Sequence, residues 1–206
     1  MEKLKSSITN MALVLTGVAV ITGGILAYVN NLTSGPIAQQ KEKALADGIK
    51  AVMGGGELSV AKTDTVRQND ASGKELTYII YQTQDSQKKD LGAAVESTTQ
   101  GFGGDMKILV GFDPEGNILG YTLLEHAETP GLGAKADKWF QKGEKGNIIG
   151  KNPKEELIVS KDGGQVDAIT ASTITSRAFL LAVNNAYKAY KATPVDGLSG
   201  ATEQKK

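Results

Sequence analysis

The N-terminal part of the chain changes abruptly from a short charged start to a long apolar stretch. No charged side chain occurs from Ser6 to Gln40, and Met11–Val29 consists mainly of Ala, Leu, Val, Ile and Gly. A membrane-spanning helix needs about 20 mostly apolar residues, whereas the apolar part of a cleaved signal peptide has only about 7–15. The pattern predicts a retained transmembrane helix, with a cleaved signal peptide or an unusually apolar packed helix as the alternatives. Lys3 and Lys5 precede the span, which predicts a cytoplasmic N-terminus and an extracytoplasmic body.

Beyond this span, the apolar positions predict one helix and then a series of strands. We expect a loop at residues 30–35, followed by a helix that starts at Pro36 and ends at Gly54. Runs with the composition of strands are Leu76–Tyr81, Ala93–Thr98, Met106–Phe112, Ile118–Leu124 and the shorter Glu156–Val159.

The last part of the pattern decides the fold class. The turn sequence Asp113–Asn117 predicts a hairpin, so at least part of the sheet is antiparallel. Apolar residues recur at helical spacing over Ala178–Tyr190 and predict a C-terminal helix. This order predicts an α+β domain with a mixed, partly antiparallel sheet rather than a doubly wound nucleotide fold. We expect the anchor over residues 1–30, an extracytoplasmic domain over 31–192 and a polar tail over 193–206.

Composition narrows the classes of function. The chain has 206 residues with 23 Lys plus Arg and 23 Asp plus Glu, so it lacks the positive charge that binding to nucleic acid requires. It has no cysteine, which excludes disulfides, cysteine-ligated zinc, iron–sulfur clusters and thiol nucleophiles. The one histidine, His126, cannot by itself form a multi-histidine metal site. We expect no nucleic-acid partner and no bound metal.

The most informative polar segment is Asp167–Ser176, in which hydroxyl side chains stand directly before the predicted C-terminal helix. The first turn of a helix has amide N–H groups without partners and carries the positive end of the helix dipole, so it favours a phosphate. The hydroxyls of Thr170, Ser172, Thr173 and Ser176 add further donors. An ordinary helix N-cap is the alternative, because Ser and Thr are also preferred there.

A second segment, Glu125–Gly133, follows the predicted hairpin and has the composition of a tight turn. Pro130, Gly131 and Gly133 permit a backbone that approaches a planar ring closely, and Leu132 is placed to rest against such a ring. Taken alone, this segment predicts only a turn.

Both segments resemble motifs of one flavoprotein family, the FMN-binding subunits of the Rnf and Na⁺-pumping NADH:quinone reductase complexes, and most closely the Rnf G subunits. Asp167–Thr175 resembles D-x-x-[ST]-G-A-[ST]-x-[ST], in which the last hydroxyl carries FMN, and Glu128–Gly133 resembles the E-T-P-G-L-G loop. The sequence departs from the family at two positions, where Ala171 replaces the usual Gly and Ser172 the usual Ala.

The resemblance implies that FMN is covalently attached through its phosphate to Thr175, by a separate Mg²⁺-dependent flavin transferase that uses FAD. It also implies a cofactor site drawn from both segments: Glu128, Thr129, Pro130, Gly131, Leu132, Gly133, Thr170, Ser172, Thr173 and Ser176. The implied function is electron transfer between ferredoxin and NAD⁺, coupled to Na⁺ or H⁺ transport, with other membrane and iron–sulfur subunits as partners. A membrane-anchored FMN-binding module and a free-standing flavin reductase are the alternatives.

The polar tail contains a second copy of the motif at Asp196–Gln204, and its core matches the family pattern more closely than the first copy does. The acceptor position of this copy is Gln204, whose carboxamide cannot form a phosphoester. No helix is predicted after it to hold a phosphate. We therefore predict that Thr175, and not the tail, carries the flavin.

Overall fold

The computed structural model describes residues 8–69 and 75–192, and it divides the chain into two compact units, Met1–Ala44 and Leu45–Lys206. Lys3, Lys5 and the tail copy of the motif lie outside the described residues. Helix α1 runs over Ile8–Val52. Its residues up to Ala44 belong to the first unit, and its last two turns belong to the second. Its most apolar window has a mean hydropathy of 2.2 and no buried residue, so α1 is long and apolar enough to cross a membrane.

The predicted loop at residues 30–35 is wrong, because α1 continues through it with Pro36 in its interior. Proline has no N–H to donate and its ring crowds the preceding turn, so it usually bends or ends a helix. In that preceding turn the Thr33 hydroxyl donates to the Val29 carbonyl oxygen at 2.9 Å and the Ser34 hydroxyl to that of Asn31 at 3.1 Å. Both bonds go to carbonyls on the turn before the proline, and neither goes to the Leu32 carbonyl, which lacks the N–H of residue 36.

The second unit is built on a five-stranded sheet in which every neighbouring pair is antiparallel and the strand order is the chain order. The strands are β1 (Ser59–Asn69), β2 (Glu75–Gln84), β3 (Asp90–Gln100), β4 (Asp105–Phe112) and β5 (Ile118–Glu125). The predicted α+β class is confirmed, and the sheet is antiparallel throughout instead of mixed. Strand β1, which was not predicted, forms one edge of the sheet.

Strand β4 separates two apolar clusters because alternate residues of a strand face opposite sides of the sheet. Ile108 and Val110 face the larger cluster, which includes Phe179 and Val183 of the C-terminal helix α3 (Thr173–Tyr190). Leu109 faces the smaller cluster, formed with the end of α1. The core residues of that smaller cluster are Ile49, Val52, Met53, Ala94 and Leu109.

The end of α1 lies directly against the sheet because glycines leave it room. Gly111 of β4 and Gly120 of β5 are cross-strand partners. A Cβ atom at Gly111 would lie 2.3 Å from the carbonyl oxygen of Val52, which is closer than any real contact. This pair of glycines therefore defines where the last turn of α1 sits on the sheet.

Between β5 and α3 the chain is mostly irregular, with two 3₁₀ turns (Gly133–Lys135 and Ser160–Asp162) and the short helix α2 (Ala136–Trp139). The predicted strand Glu156–Val159 is wrong, since only Val159 pairs, in an isolated parallel bridge with Val166. Helix α3 begins at Thr173, earlier than the predicted Ala178. The acceptor position of the hydroxyl-rich motif therefore lies within the first turn of α3.

Candidate functional site

A cavity of about 370 Å³ lies between the N-terminus of α3, the segment after β5 and the turn between β3 and β4. This volume is within the range of roughly 300–1,000 Å³ that is usual for small-molecule sites. Its lining residues are Phe102, Glu128, Thr129, Leu132, Gly133, Ala171, Ser172, Thr173, Ile174 and Thr175. The structure thus brings the two sequence motifs together around one cavity.

A buried hydrogen bond joins the two motifs. The Thr175 hydroxyl donates to Oε2 of Glu128 at an Oγ1–Oε2 distance of 2.6 Å. Thr175 is 1% exposed and Glu128 5% exposed, so this contact is shielded from solvent. A bond from a hydroxyl to an ionised carboxylate is stronger than one between neutral groups. It holds the predicted acceptor hydroxyl in one orientation, toward the loop.

The other carboxylate oxygen of Glu128 is held by the turn between β3 and β4. The backbone N–H of Phe102 donates to Oε1 at 2.8 Å and that of Gly103 at 3.2 Å. Glu128 therefore connects three separate parts of the chain, and each of its three partners donates to it. These hydrogen bonds hold the carboxylate in one position.

Gly133 closes the predicted turn at the point where it passes the carboxylate. A Cβ atom at this position would lie 2.4 Å from Oε2 of Glu128, so any larger residue would displace that oxygen. The composition of the turn predicts that its backbone approaches a planar ring closely. At Gly133 the backbone instead approaches the Glu128 side chain of the same protein.

The N-terminus of α3 differs from an ordinary serine-capped helix. Ser172 occupies the N-cap position and makes no side-chain capping hydrogen bond. The first amide groups of a helix have no acceptor within the helix itself, so they point toward whatever occupies the adjacent space. Here Ser172, Thr173 and Thr175 line the cavity. Ser172 therefore lines the cavity and does not cap the helix with its side chain, as the ordinary N-cap alternative would require.

Ser176 has a structural role and does not line the cavity. Its hydroxyl donates to the Ser172 carbonyl oxygen at 2.9 Å and accepts the backbone N–H of Ile169 at 2.9 Å. Ser176 is fully buried. Both bonds fold the segment before α3 back onto the helix, which places Thr173 and Thr175 at the cavity.

The departure from the family motif at Ala171 falls on a left-handed backbone. Its φ is +61°, a conformation that costs a residue with a Cβ atom about 1–2 kcal/mol and costs glycine little. The usual glycine at this position is thus explained by the geometry of the turn. The chain retains the turn with alanine, at a cost in conformational energy.

Three other predicted residues do not line the cavity. Thr170 is exposed before the left-handed turn, and Pro130 and Gly131 lie exposed on the outer side of the loop. Gly131 has a φ of +76° and open space around it, so its part is to form the turn. Thr170, Pro130, Gly131 and Ser176 therefore belong to the segments that form the site, but they do not line the cavity.

Basic side chains lie near the start of α3. The Lys161 ammonium donates to the Thr173 hydroxyl at 3.0 Å, and Arg177 forms a two-pronged pair with Asp162, with distances of 2.7 and 2.6 Å. Asp162 neutralises Arg177. Lys161 is exposed and adjoins a lining residue, so it is the cation placed to face an anion at this helix end.

Two aromatic residues hold the surrounding segments in place. The indole N–H of Trp139 donates to the Asp167 carbonyl oxygen at 2.8 Å, which ties the start of the motif to α2. The Tyr121 hydroxyl donates to the Ala136 carbonyl oxygen at 2.7 Å and accepts the Phe140 N–H at 3.1 Å. Burial raises the pKa of Tyr121 well above its usual value, so the hydroxyl remains a donor.

Sequence reasoning missed Phe102 and Ile174, which both line the cavity. Phe102 is 68% exposed, which is unusual for a large apolar side chain beside a pocket. The signal was present in Gly101–Gly104, a run that places one aromatic residue among glycines in a strand connection. As a sequence pattern, that run is only an incomplete nucleotide-binding fingerprint.

Comparison with known families agrees with this geometry. A family model described as "FMN-binding domain" matches residues 101–188, which include every lining residue of the cavity. A second model, described as "RnfG N-terminal region", matches residues 1–52. The chain therefore combines a domain of the FMN-binding class with an N-terminal helix that is long and apolar enough to cross a membrane.

Curated relatives identify the family more closely. The G subunit of the ion-translocating oxidoreductase complex of Shewanella baltica is 32% identical, and the match covers 89% of each chain. The corresponding protein of Yersinia pestis is 36% identical over 79% of this chain and 80% of its own, and that of Vibrio cholerae is 32% identical over 88% and 89%. The chain belongs to the family of G subunits of ion-translocating oxidoreductase complexes.

Proposed function

We propose that this chain is the flavoprotein subunit of an Rnf-type ferredoxin:NAD⁺ oxidoreductase and carries electrons through FMN attached by its phosphate to Thr175. The observation that carries the proposal is the position of the Thr175 hydroxyl, at a cavity where the two motifs meet. The family of the chain supports the same reading.

The residues around the cavity fit the two ends of FMN. Phe102 and Leu132 are exposed apolar side chains at the cavity and suit a planar aromatic ring. The start of α3, with Thr173 and Lys161, suits a phosphate, because helix amides and a cation favour an anion. The attached flavin would supply the one- and two-electron chemistry, and the protein would position it and adjust its surroundings.

Attachment needs a partner protein during maturation. A threonine hydroxyl is a weak nucleophile, and the phosphate must come from a bound nucleotide. We propose a flavin transferase that takes FAD as donor. The mature subunit then requires no acid or base of its own for outer-sphere electron transfer through the flavin.

The membrane arrangement follows from the first helix. The apolar side chains of α1 up to residue 44 are exposed, so they are available to lipid and to other membrane subunits. Lys3 and Lys5 favour a cytoplasmic N-terminus and an extracytoplasmic flavin domain over residues 31–192, with the tail at 193–206. No ionisable side chain with charge at neutral pH occurs from residue 6 to 40. The path of the coupled Na⁺ or H⁺ therefore belongs to partner subunits.

Flavin fluorescence on a denaturing gel tests the attachment. Full-length protein is produced with and without the flavin transferase, as wild type, Thr175→Val and Thr173→Val. Thr173 is the matched control, because it lines the same cavity and carries the same side chain. We expect a fluorescent band from the wild type and Thr173→Val that depends on the transferase, and none from Thr175→Val. A fluorescent Thr175→Val band, or a dark wild type in the presence of the transferase, contradicts the proposal.

A further inference from the structure

Glu128 is the one ionisable residue among the described residues that line the cavity. Its Oε2 atom lies 2.6 Å from the hydroxyl oxygen of Thr175, and its Oε1 atom accepts the N–H groups of Phe102 and Gly103. Both oxygens of Glu128 accept hydrogen bonds, so the side chain is arranged as an acceptor and not as a donor. The acid therefore faces the predicted attachment oxygen with an accepting atom.

A carboxylate is a poor choice for a group that only holds a phosphate. Like charges repel, and the repulsion is stronger in a buried site than in water. Backbone amides, hydroxyls or a cation would hold the anion better. Besides connecting three parts of the chain, the carboxylate lies against the oxygen at which the phosphoester would form, and an amide side chain in its place could not take up a proton.

We propose that Glu128 accepts the proton of the Thr175 hydroxyl when FMN is attached, an inference that rests on the proposed attachment at Thr175. Oγ1 of Thr175 forms a bond to the flavin-side phosphorus of FAD, and the bond from that phosphorus to the bridging oxygen breaks. AMP leaves with the bridging oxygen, and the hydroxyl proton moves to Oε2 of Glu128 and then to solvent. No atom is oxidised or reduced. Glu128 is a catalytic residue of this step, because it touches the reacting oxygen.

The surrounding chain prepares this proton transfer before any nucleotide arrives. The distance of 2.6 Å is within the reach that a general base requires. The two backbone N–H donors prevent Glu128 from turning away, and Gly133 leaves space for Oε2 beside the hydroxyl. The Glu128–Gly133 loop therefore provides both a tight turn and the base for attachment of the flavin.

The test measures the rate of covalent flavin incorporation into flavin-free, full-length protein with purified transferase, FAD and Mg²⁺. Glu128→Gln keeps the size of the side chain and one accepting oxygen for the N–H groups of Phe102 and Gly103. Its NH2 group then faces the Thr175 hydroxyl, where it donates and cannot take the proton. Glu125→Gln is the matched control, because Glu125 is an exposed acid on the same segment and does not line the cavity. We expect Glu128→Gln to slow incorporation about 100-fold or more and Glu125→Gln to leave it unchanged.

Two further readouts separate proton transfer from a structural role. We expect sodium formate to restore part of the rate in Glu128→Ala, where the lost carboxyl group leaves space for the ion, and to have no such effect on the wild type. We also expect the rate of flavin incorporation into Glu128→Gln to rise continuously from about pH 7 to about pH 9, because hydroxide replaces the missing base. The rate for the wild type should change little over the same range. If Glu128→Gln fails to fold, as judged by its unfolding curve, the formate experiment and the wild-type pH profile decide.

The failure of this inference can be told from the failure of the proposed function. A wild type that gains flavin on Thr175 while Glu128→Gln gains it within about twofold of the same rate overturns the role of Glu128 and leaves the attachment intact. A wild-type rate that rises steeply with pH, or a Glu128→Ala variant without rescue by formate, also overturns it. A wild type that gains no flavin contradicts the proposed function itself.

Discussion

Gly133 packs directly against Thr175, so that a Cβ atom on this glycine would lie 2.7 Å from the Thr175 hydroxyl oxygen. The last residue of one motif thus touches the acceptor of the other. The contact depends on how the mostly irregular segment after β5 passes the start of α3. It makes the site sensitive to a single methyl group at this position.

We predict that Gly133→Ala reduces covalent flavin and costs about 1–3 kcal/mol of stability, because the new methyl group must displace the oxygens of Glu128 and Thr175. The flavin content per protein and the unfolding free energy in urea measure the two effects. Gly131→Ala is the control on the same loop, because no atom lies within 4 Å of its added Cβ. It should lose about 1 kcal/mol from its left-handed backbone and keep its flavin. Equal flavin content in both variants would contradict this account of the contact.

We predict that Ala171→Gly increases the unfolding free energy by about 0.5–1 kcal/mol, since the left-handed conformation at φ +61° strains alanine and not glycine. Chemical denaturation of the flavin-free protein measures the change. Ala168→Gly provides the comparison within the same segment, as Ala168 does not have a positive φ. That variant should be less stable than the wild type, by up to about 1 kcal/mol. A loss of stability in Ala171→Gly would show that the turn is not strained.

We predict that Tyr121→Phe costs about 1–3 kcal/mol, because it leaves the Ala136 carbonyl and the Phe140 N–H without their partner in a buried place. Both groups belong to the segment that follows the Glu128–Gly133 loop, so flavin attachment should also slow. Tyr81→Phe is the control, since Tyr81 is only half-buried. A Tyr121→Phe variant as stable as the Tyr81→Phe variant would contradict the role of this hydroxyl.

Tyr121 also predicts how stability depends on alkaline pH. Burial raises its pKa in the folded protein, while the unfolded chain keeps a value of about 10. The unfolded state therefore loses this proton first, so the contribution to stability is complete below about pH 10 and declines as the pH rises toward the folded pKa. Unfolding free energies measured across this range should fall more steeply for the wild type than for Tyr121→Phe. Parallel curves would contradict the assignment.

We predict that Phe102→Ala leaves the covalent attachment in place but makes the fluorescence of the bound flavin easier for iodide to quench. The ring of Phe102 lies at the cavity and suits packing on the flavin, which shields the flavin from solvent, whereas the N–H bond of Phe102 to Glu128 does not depend on the side chain. Stability should change little because the ring is 68% exposed. Leu119→Ala, at another exposed apolar residue in this domain, is the control and should not alter the quenching by iodide. Unchanged quenching by iodide in Phe102→Ala would exclude this packing.

The sequence predicted those parts of the fold in which one face of an element must be apolar. Strand β4 and helix α3 follow this rule, because both contribute to the same core. Strand β1 escaped prediction because it is an edge strand with exposed side chains over most of its length, so no alternating apolar pattern is required. The continuous α1 escaped prediction because Pro36 lies in its interior, and proline normally bends or ends a helix.

The sequence predicted the two motifs of the candidate site but not how their side chains pair. Both motifs could be located, because glycine, proline and hydroxyl residues are local signals for turns and helix starts. The pairing of Glu128 with Thr175 could not, since it depends on the path of an irregular segment between β5 and α3. The structural use of Ser176 was hidden for the same reason, as its partner Ile169 lies across the turn.

The position of the flavin on the chain tests the central claim most directly. Trypsin cleaves after Lys161 and Arg177, so Thr170, Ser172, Thr173 and Thr175 fall in one peptide, and the tail copy of the motif falls in a separate peptide after Lys191. Fragmentation mass spectrometry of protein matured with the transferase should place the mass of FMN less one water on Thr175. The same mass on Thr173, or only on the tail peptide, would contradict the account.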